Sequence, residues 1–72
     1  MSSWDSVMNY AKGLLQDAKE YSNIKAKAKT LKMAWNAVFE LPDNYPQRND
    51  MLHKIEMYAY SCGIDLDEVT GY

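Results

Sequence analysis

The chain has 72 residues, enough for one domain, and its 47% hydrophobic and 25% charged residues match an ordinary globular protein rather than a disordered segment. One cysteine cannot close an internal disulfide or bind zinc alone, so the usual supports of very small domains are missing and a reducing compartment, the cytoplasm, is expected. No stretch approaches the ~20 apolar residues that span a bilayer, and a net charge of −2 gives no overall attraction to nucleic acid or anionic lipid. We therefore expect a single domain over residues 1–72 that associates with no membrane.

The first predicted helix begins at Ser2 or Ser3, since serine is a favoured N-cap residue. From there, apolar residues recur at three- and four-residue steps, which is the pattern of a helix with one inward face. The residues of this face are Trp4, Val7, Met8, Ala11, Leu14, Leu15, Ala18 and Tyr21. A second stripe ends before Pro42, because proline disfavours helical angles in the residue that precedes it. This stripe contains Ile24, Ala28, Leu31, Trp35 and Val38, with Phe39 at its edge.

The boundary between the two stripes has two interpretations. Ser22 and Asn23 are both good helix caps, which favours a tight turn between them. However, neither glycine nor proline occurs between Leu14 and Leu41, and the apolar spacing continues almost unbroken. The alternative is one continuous helix of about 37 residues, about 55 Å long, which would have to form a dimer to cover its stripe. We favour the break.

A turn over residues 42–46 precedes the third predicted helix, and Pro46 suits its first position, with Asn44 or Tyr45 before it. This helix runs to about Cys62, and Gly63 can adopt the left-handed conformation that ends helices. Its inward residues are Met51, Leu52, Ile55, Tyr58, Ala59 and Cys62. We expect the second and third helices to share a core through Leu31, Trp35, Ile55 and Tyr58.

The C-terminal segment has the pattern of a capped helix. Asp65 caps it, and Glu68 is placed to reach back to the cap. A short helix from Leu66 to about Thr70 follows. The predicted fold is therefore all-α: a small three-helix bundle with a short fourth C-terminal helix.

Two features of the sequence bear on nucleic-acid binding. The segment from Ala59 to Val69 resembles the hinge of a helix-turn-helix motif, where a turn glycine and apolar anchors hold two helices at an angle. The helix after this hinge opens with three acids within four residues, however, which the phosphates of DNA would repel. The other candidate contact is a lysine flank on the second helix, formed by Lys25, Lys29 and Lys32. With a single arginine in the chain, nucleic acid is the weaker alternative as a partner.

Catalysis and metal binding find little support. His53 is the only histidine, and its helical neighbours Asp50 and Glu56 spread around more than half of the helix, so the three cannot converge on one ion. Cys62 lies on the other side of the same helix from His53, and no nucleophile–base pair forms there. We expect no enzyme, no catalytic or metal site and no cofactor.

Binding of a protein partner is the remaining candidate function. His53, Met57 and Tyr60 recur on the outer face of the third helix, and methionine and tyrosine are enriched in interfaces. Residues 33–72 carry seven acids against two basic residues, and the acids after Gly63 would steer a basic partner to that end. The candidate partner contacts are His53, Met57, Tyr60, Met33, Asp65, Asp67, Glu68 and Tyr72.

In its size and lack of motifs the chain looks like the accessory proteins of phages and other mobile elements, many of which inhibit a host enzyme by covering a surface. The expected function is a non-enzymatic inhibitor or adaptor that binds a protein. The alternatives are a nucleic-acid-associated accessory protein and a homodimeric structural module that uses the aromatic outer face as its own interface.

Overall fold

The computed structural model describes residues 3–69, which form three α-helices and one 3-10 turn. The helices are α1 (Ser3–Glu20), α2 (Ile24–Phe39) and α3 (Arg48–Ser61), and the 3-10 turn spans Leu66–Glu68. Helix α2 packs against both α1 and α3 and also contacts the 3-10 turn. The predicted all-α bundle is confirmed. Within residues 3–69, no helix has the length and apolar character needed to cross a membrane.

The chain breaks between α1 and α2, and the continuous-helix alternative is wrong. Asn23 adopts an extended conformation (φ −76°, ψ 122°), which a helical residue cannot have. Its side-chain Oδ1 accepts hydrogen bonds from the amides of Lys25 at 2.9 Å and Ala26 at 3.1 Å. These are two of the amides that have no partner inside a helix, so Asn23 starts α2 by satisfying them.

The core lies where α2 meets its two neighbours. Ala11, Ala18 and Ala34 are completely buried, and their small side chains let α1 and α2 approach closely. The largest fully buried side chains are Leu31, Val38 and Ile55. The expected grouping is confirmed for Leu31 and Ile55, while Trp35 and Tyr58 pack against this core half-buried.

Three residues predicted to face inward are exposed instead. Trp4, Tyr21 and Ile24 expose 39%, 45% and 53% of their surface. All three lie at helix ends, Trp4 in the first turn of α1 and the other two on either side of the break. The periodic pattern continues to the end of a helix, but burial also needs a neighbouring element, and the chain turns away at these points.

The third helix begins later than predicted. Pro46 belongs to a double turn, in which the Tyr45 amide donates to the Pro42 carbonyl at 2.9 Å and the Arg48 amide to the Tyr45 carbonyl at 3.2 Å. Gln47 then takes a left-handed conformation (φ 70°) and α3 starts at Arg48. Pro46 is therefore a turn residue rather than the first residue of the helix, because the chain has still to change direction after it.

The predicted fourth helix is reduced to the 3-10 turn. Asp65 caps it as expected, accepting a hydrogen bond from the amide of Asp67 at 3.0 Å. Val69, whose amide bonds to the Leu66 carbonyl, is already extended (φ −76°, ψ 122°), so the turn ends there. Thr70, at the predicted end of this helix, lies outside the described residues.

Candidate partner-binding groove

The end of α3 creates the wall of a groove. The Gly63 amide donates to the Tyr60 carbonyl at 3.0 Å, and the Ile64 amide donates to the Ala59 carbonyl at 2.9 Å. This pair of hydrogen bonds, with a left-handed residue at Gly63 (φ 73°), is the Schellman motif. It reverses the chain at the end of α3 and carries the 3-10 turn back to α2, which buries Leu66.

The space enclosed by α2, α3 and the 3-10 turn is an open groove of about 560 Å³. Its lining combines apolar and aromatic groups with charged groups, a mixture that is typical of binding sites. The apolar and aromatic part consists of Trp35, Ala59, Tyr60, Gly63, Ile64 and Leu66. The charged part consists of Lys32, Glu56, Asp65 and Asp67.

Trp35 is held in place in this groove by contacts on several sides. Its indole Nε1 donates to Glu56 Oε1 at 3.1 Å, which ties α2 to α3. Its ring stacks on Phe39, with the centroids 4.8 Å apart and the planes 15° from parallel. The ammonium of Lys32 lies 5.5 Å from the centroid of the Trp35 ring, within the range of a cation–π contact. The indole is therefore fixed while its surface remains half-exposed.

The charge of the groove is predominantly negative. Three carboxylates, of Glu56, Asp65 and Asp67, line it against the single ammonium of Lys32. All three acids belong to exposed residues. A positively charged group entering the groove therefore meets carboxylates and an aromatic face together.

Several residues singled out in the sequence meet in this groove. Tyr60, Asp65 and Asp67, predicted as partner contacts, line it together with Lys32, which was predicted for nucleic acid. Tyr60 is 80% exposed, so its ring stands at the rim rather than in the core.

The remaining candidates lie elsewhere. His53 and Met57 are exposed on α3 outside the groove lining, with Met57 52% exposed. The residues outside the groove also include Glu68, Lys25 and Lys29, all exposed, and Met33, which is half-buried on α2. Tyr72 lies outside the described residues.

A second, separate hollow of about 510 Å³ lies between α1 and the turn before α3. Across it, the Tyr45 hydroxyl donates a hydrogen bond to Asp5 Oδ1. This bond raises the pKa of Tyr45, and burial and the negative charge of Asp5 act in the same direction. The contact joins the first turn of α1 to the inter-helix turn, which is a structural role.

One lysine has a structural role at the opposite end of the bundle. Lys27 Nζ donates to the Ala18 carbonyl at 2.8 Å and to the Tyr58 hydroxyl at 2.7 Å, and lies 5.1 Å from the centroid of the Tyr58 ring. It thereby connects all three helices and places a positive charge at the C-terminal end of α1, where the helix dipole favours it. This side chain is not available to an outside partner.

Within residues 3–69, the structure brings together no group of three histidine, cysteine or acidic side chains able to hold a metal ion. Cys62 is half-buried, with its sulfur 3.9 Å from the Ser61 hydroxyl.

The groove residues that the sequence interpretation did not assign to a site include Trp35 and Glu56. Trp35 was assigned to the core and Glu56 only to the surroundings of His53, because the contact between them joins residues 21 positions apart on two different helices. A usable signal was present in Gly63, because a glycine in the left-handed conformation ends a helix and turns the chain away from the helix axis beside the last turn of α3.

Comparison of the chain with protein-family models, curated proteins and solved structures finds no match to any of them.

Proposed function

We propose that this chain is a small, non-enzymatic cytoplasmic module that binds a protein partner through the groove and acts as an inhibitor or adaptor. The observation that carries the proposal is the groove itself, which combines a fixed aromatic ring, an apolar floor and charged rim groups. Two properties of the chain support the same assignment. The chain resembles accessory proteins of mobile elements in size, and its single cysteine suits a reducing compartment.

Tyr60 and Trp35 suit the role of anchors in such an interface. Tryptophan and tyrosine dominate the binding energy of many interfaces, because they cover a large area at a small cost in side-chain entropy. The Trp35 ring already contacts Glu56 and Phe39 in the free protein, so covering it requires less ordering than covering a ring without such contacts. Met57 and His53, exposed on the same helix, extend the proposed contact along α3.

Site-specific cross-linking tests the proposal. The protein is produced in the organism whose genome encodes it, with a photo-reactive phenylalanine analogue at position 60. The same analogue at position 10 serves as the control. Tyr10 is a matched control because it is also exposed (55%) but lies on α1, away from the groove. We expect one protein to cross-link from position 60 and not from position 10.

Other outcomes have distinct meanings. Equal cross-linking from both positions, or none from position 60, would contradict binding through the groove. A cross-linked product consisting of two copies of this chain would indicate that the groove forms a homodimer instead of binding a different protein.

A further inference from the structure

We infer that the groove binds a lysine- or arginine-rich segment of its partner, and that a cationic side chain of this segment takes the place over Trp35 that Lys32 occupies in the free protein. This inference rests on the proposed function and adds the chemistry of the partner.

The charges of the groove are complementary to those of a basic segment. Glu56, Asp65 and Asp67 place three negative charges around one recess, against one positive charge. A basic segment would be attracted to this surface, whereas an acidic segment or the phosphates of a nucleic acid would be repelled. A purely apolar segment would fill the recess but would remove water from the carboxylates without offering them a partner.

A cation, the ammonium of Lys32, already lies over the aromatic face of Trp35. Lys32 Nζ lies 5.5 Å from the Trp35 centroid, and among residues 3–69 no carboxylate forms an ion pair with it. Lys32 and Trp35 are both half-buried beside an open groove, so their cation–π contact is partly screened by water, and a lysine side chain has many other rotamers. Lys32 can therefore yield its position at little cost to a cation that also contacts the acids.

Glu56 places a carboxylate beside the Trp35 ring. It accepts the indole hydrogen bond through Oε1, and its second oxygen, Oε2, can accept from another donor. An ammonium or guanidinium that contacts both the ring and this carboxylate, as Lys32 does not, would gain a charge-assisted hydrogen bond, which is the stronger class.

Three peptides of about 14 residues, a length at which an isolated helix is marginally stable, test the inference. All carry the same leucines on one helical face, and their other face carries lysine, glutamine or glutamate. Binding is followed by NMR through the indole NH signal of Trp35, with Trp4 as the internal reference. We expect the lysine peptide to bind about tenfold more tightly than the glutamine peptide, with an affinity that falls as salt is raised, and the glutamate peptide not to bind.

Two pairs of variants locate the effect. Glu56→Gln/Asp65→Asn/Asp67→Asn removes the groove charges while keeping an acceptor for Trp35 and a cap for the 3-10 turn. Its control, Asp17→Asn/Glu20→Gln/Glu40→Gln, changes the net charge equally at exposed positions outside the groove. Lys32→Met frees the ring, and Lys29→Met is its control because Lys29 is exposed and outside the groove.

We expect the groove triple variant to lose about tenfold in affinity for the lysine peptide relative to its control, and Lys32→Met to gain about threefold over Lys29→Met. Equal affinity of the two triple variants, or of the two lysine variants, would overturn the inference. If the glutamine peptide shifts the Trp35 signal as strongly as the lysine peptide, the groove binds without charge selection, so the inference fails while the proposed function stands. If none of the peptides shifts this signal, the inference fails, and cross-linking from position 60 decides the proposed function separately.

Discussion

Arg48 illustrates how much a single side chain contributes in a bundle of this size. It is the first residue of α3 and only 8% exposed, although arginine is rarely buried. Its guanidinium donates to the carbonyl of Phe39 at 2.9 Å and lies 5.2 Å from the centroid of the same residue's ring. Arg48 thereby satisfies a carbonyl at the C-terminal end of α2 and links it to α3. The nearby carboxylate of Asp43, at 3.5 Å, is 99% exposed and contributes little, because solvent screens the pair.

We predict that Arg48→Met will destabilise the protein by about 1–3 kcal/mol. Methionine replaces the packing of the side chain but leaves the Phe39 carbonyl without its donor. Urea unfolding followed by circular dichroism measures the change, and Asp43→Asn is the control that removes only the exposed ion pair. A stability equal to wild type would show that the guanidinium contributes no more than its apolar stem.

Tyr45 provides a pH-dependent contact between α1 and the inter-helix turn. Because its pKa is raised above 10.0, the neutral, donating form is favoured in the folded state. Its contribution to stability is therefore fully present below pH 10.0 and is lost as the pH rises through the folded-state pKa. We predict that Tyr45→Phe will be less stable than wild type below pH 10.0 and that the difference will disappear as the pH rises through the raised pKa of Tyr45 in the folded protein. Paired urea titrations on both sides of pH 10.0 measure the difference, and a difference independent of pH would contradict the assignment.

At the scale of the elements, a cap divides α1 from α2 without any glycine or proline between them. Asn23 starts α2 through two side-chain hydrogen bonds, although the apolar spacing on either side would allow a continuous helix. Gly63 ends α3 and sets the direction of the chain that closes the groove. Gln47 takes a left-handed conformation without being glycine, which is an unfavourable choice for a residue with a Cβ.

We predict that Asn23→Ala will destabilise the protein by about 1 kcal/mol, because the first amides of α2 lose their acceptor. Asn23→Asp, which keeps an acceptor at this position, is the control and should remain close to wild type. Thermal unfolding gives the stabilities, and sedimentation gives the mass. A variant that gains helix content and becomes a dimer would show that one side chain separates the bundle from the continuous-helix form.

At the scale of the whole molecule, stability depends on a few completely buried side chains. A domain of this size is expected to have a free energy of unfolding of about 4–11 kcal/mol. Ile55 is fully buried in α3, whereas Trp35 is half-buried at the groove. Substitutions at these two positions therefore compare the contribution of a core side chain to stability with that of a groove side chain.

We predict that Ile55→Ala will cost about 2–5 kcal/mol, a large part of the total. Trp35→Ala should cost less than the ~3–5 kcal/mol typical of a fully buried aromatic residue, since its ring is partly in water already. Urea unfolding of both variants and of wild type compares them directly. A larger loss for Trp35→Ala than for Ile55→Ala would mean that the tryptophan belongs to the core rather than to the groove.

The sequence by itself determined the features that depend on neighbouring residues. The helical segments, the two candidate caps at Ser22 and Asn23 and the helix end at Gly63 follow from periodicity and from hydrogen bonds that span a few residues. The structure decided that the chain breaks at Asn23 instead of continuing as one helix. Part of the candidate site was also accessible in this way, since Tyr60, Asp65 and Asp67 lie on or beside that reversal.

Only the tertiary structure decided which periodic positions are covered and which distant side chains meet. Trp35 reaches Glu56 across 21 residues, and Tyr45 reaches Asp5 across 40, so no local pattern encodes either contact. The position of Arg48 matches the inward spacing of Met51 and Ile55, but arginine is rarely buried, and its burial depends on the Phe39 carbonyl that α2 places beside it. The physical reason is the same in each case. Local chemistry sets the conformation of the chain, whereas the surroundings of a side chain depend on where the other helices lie.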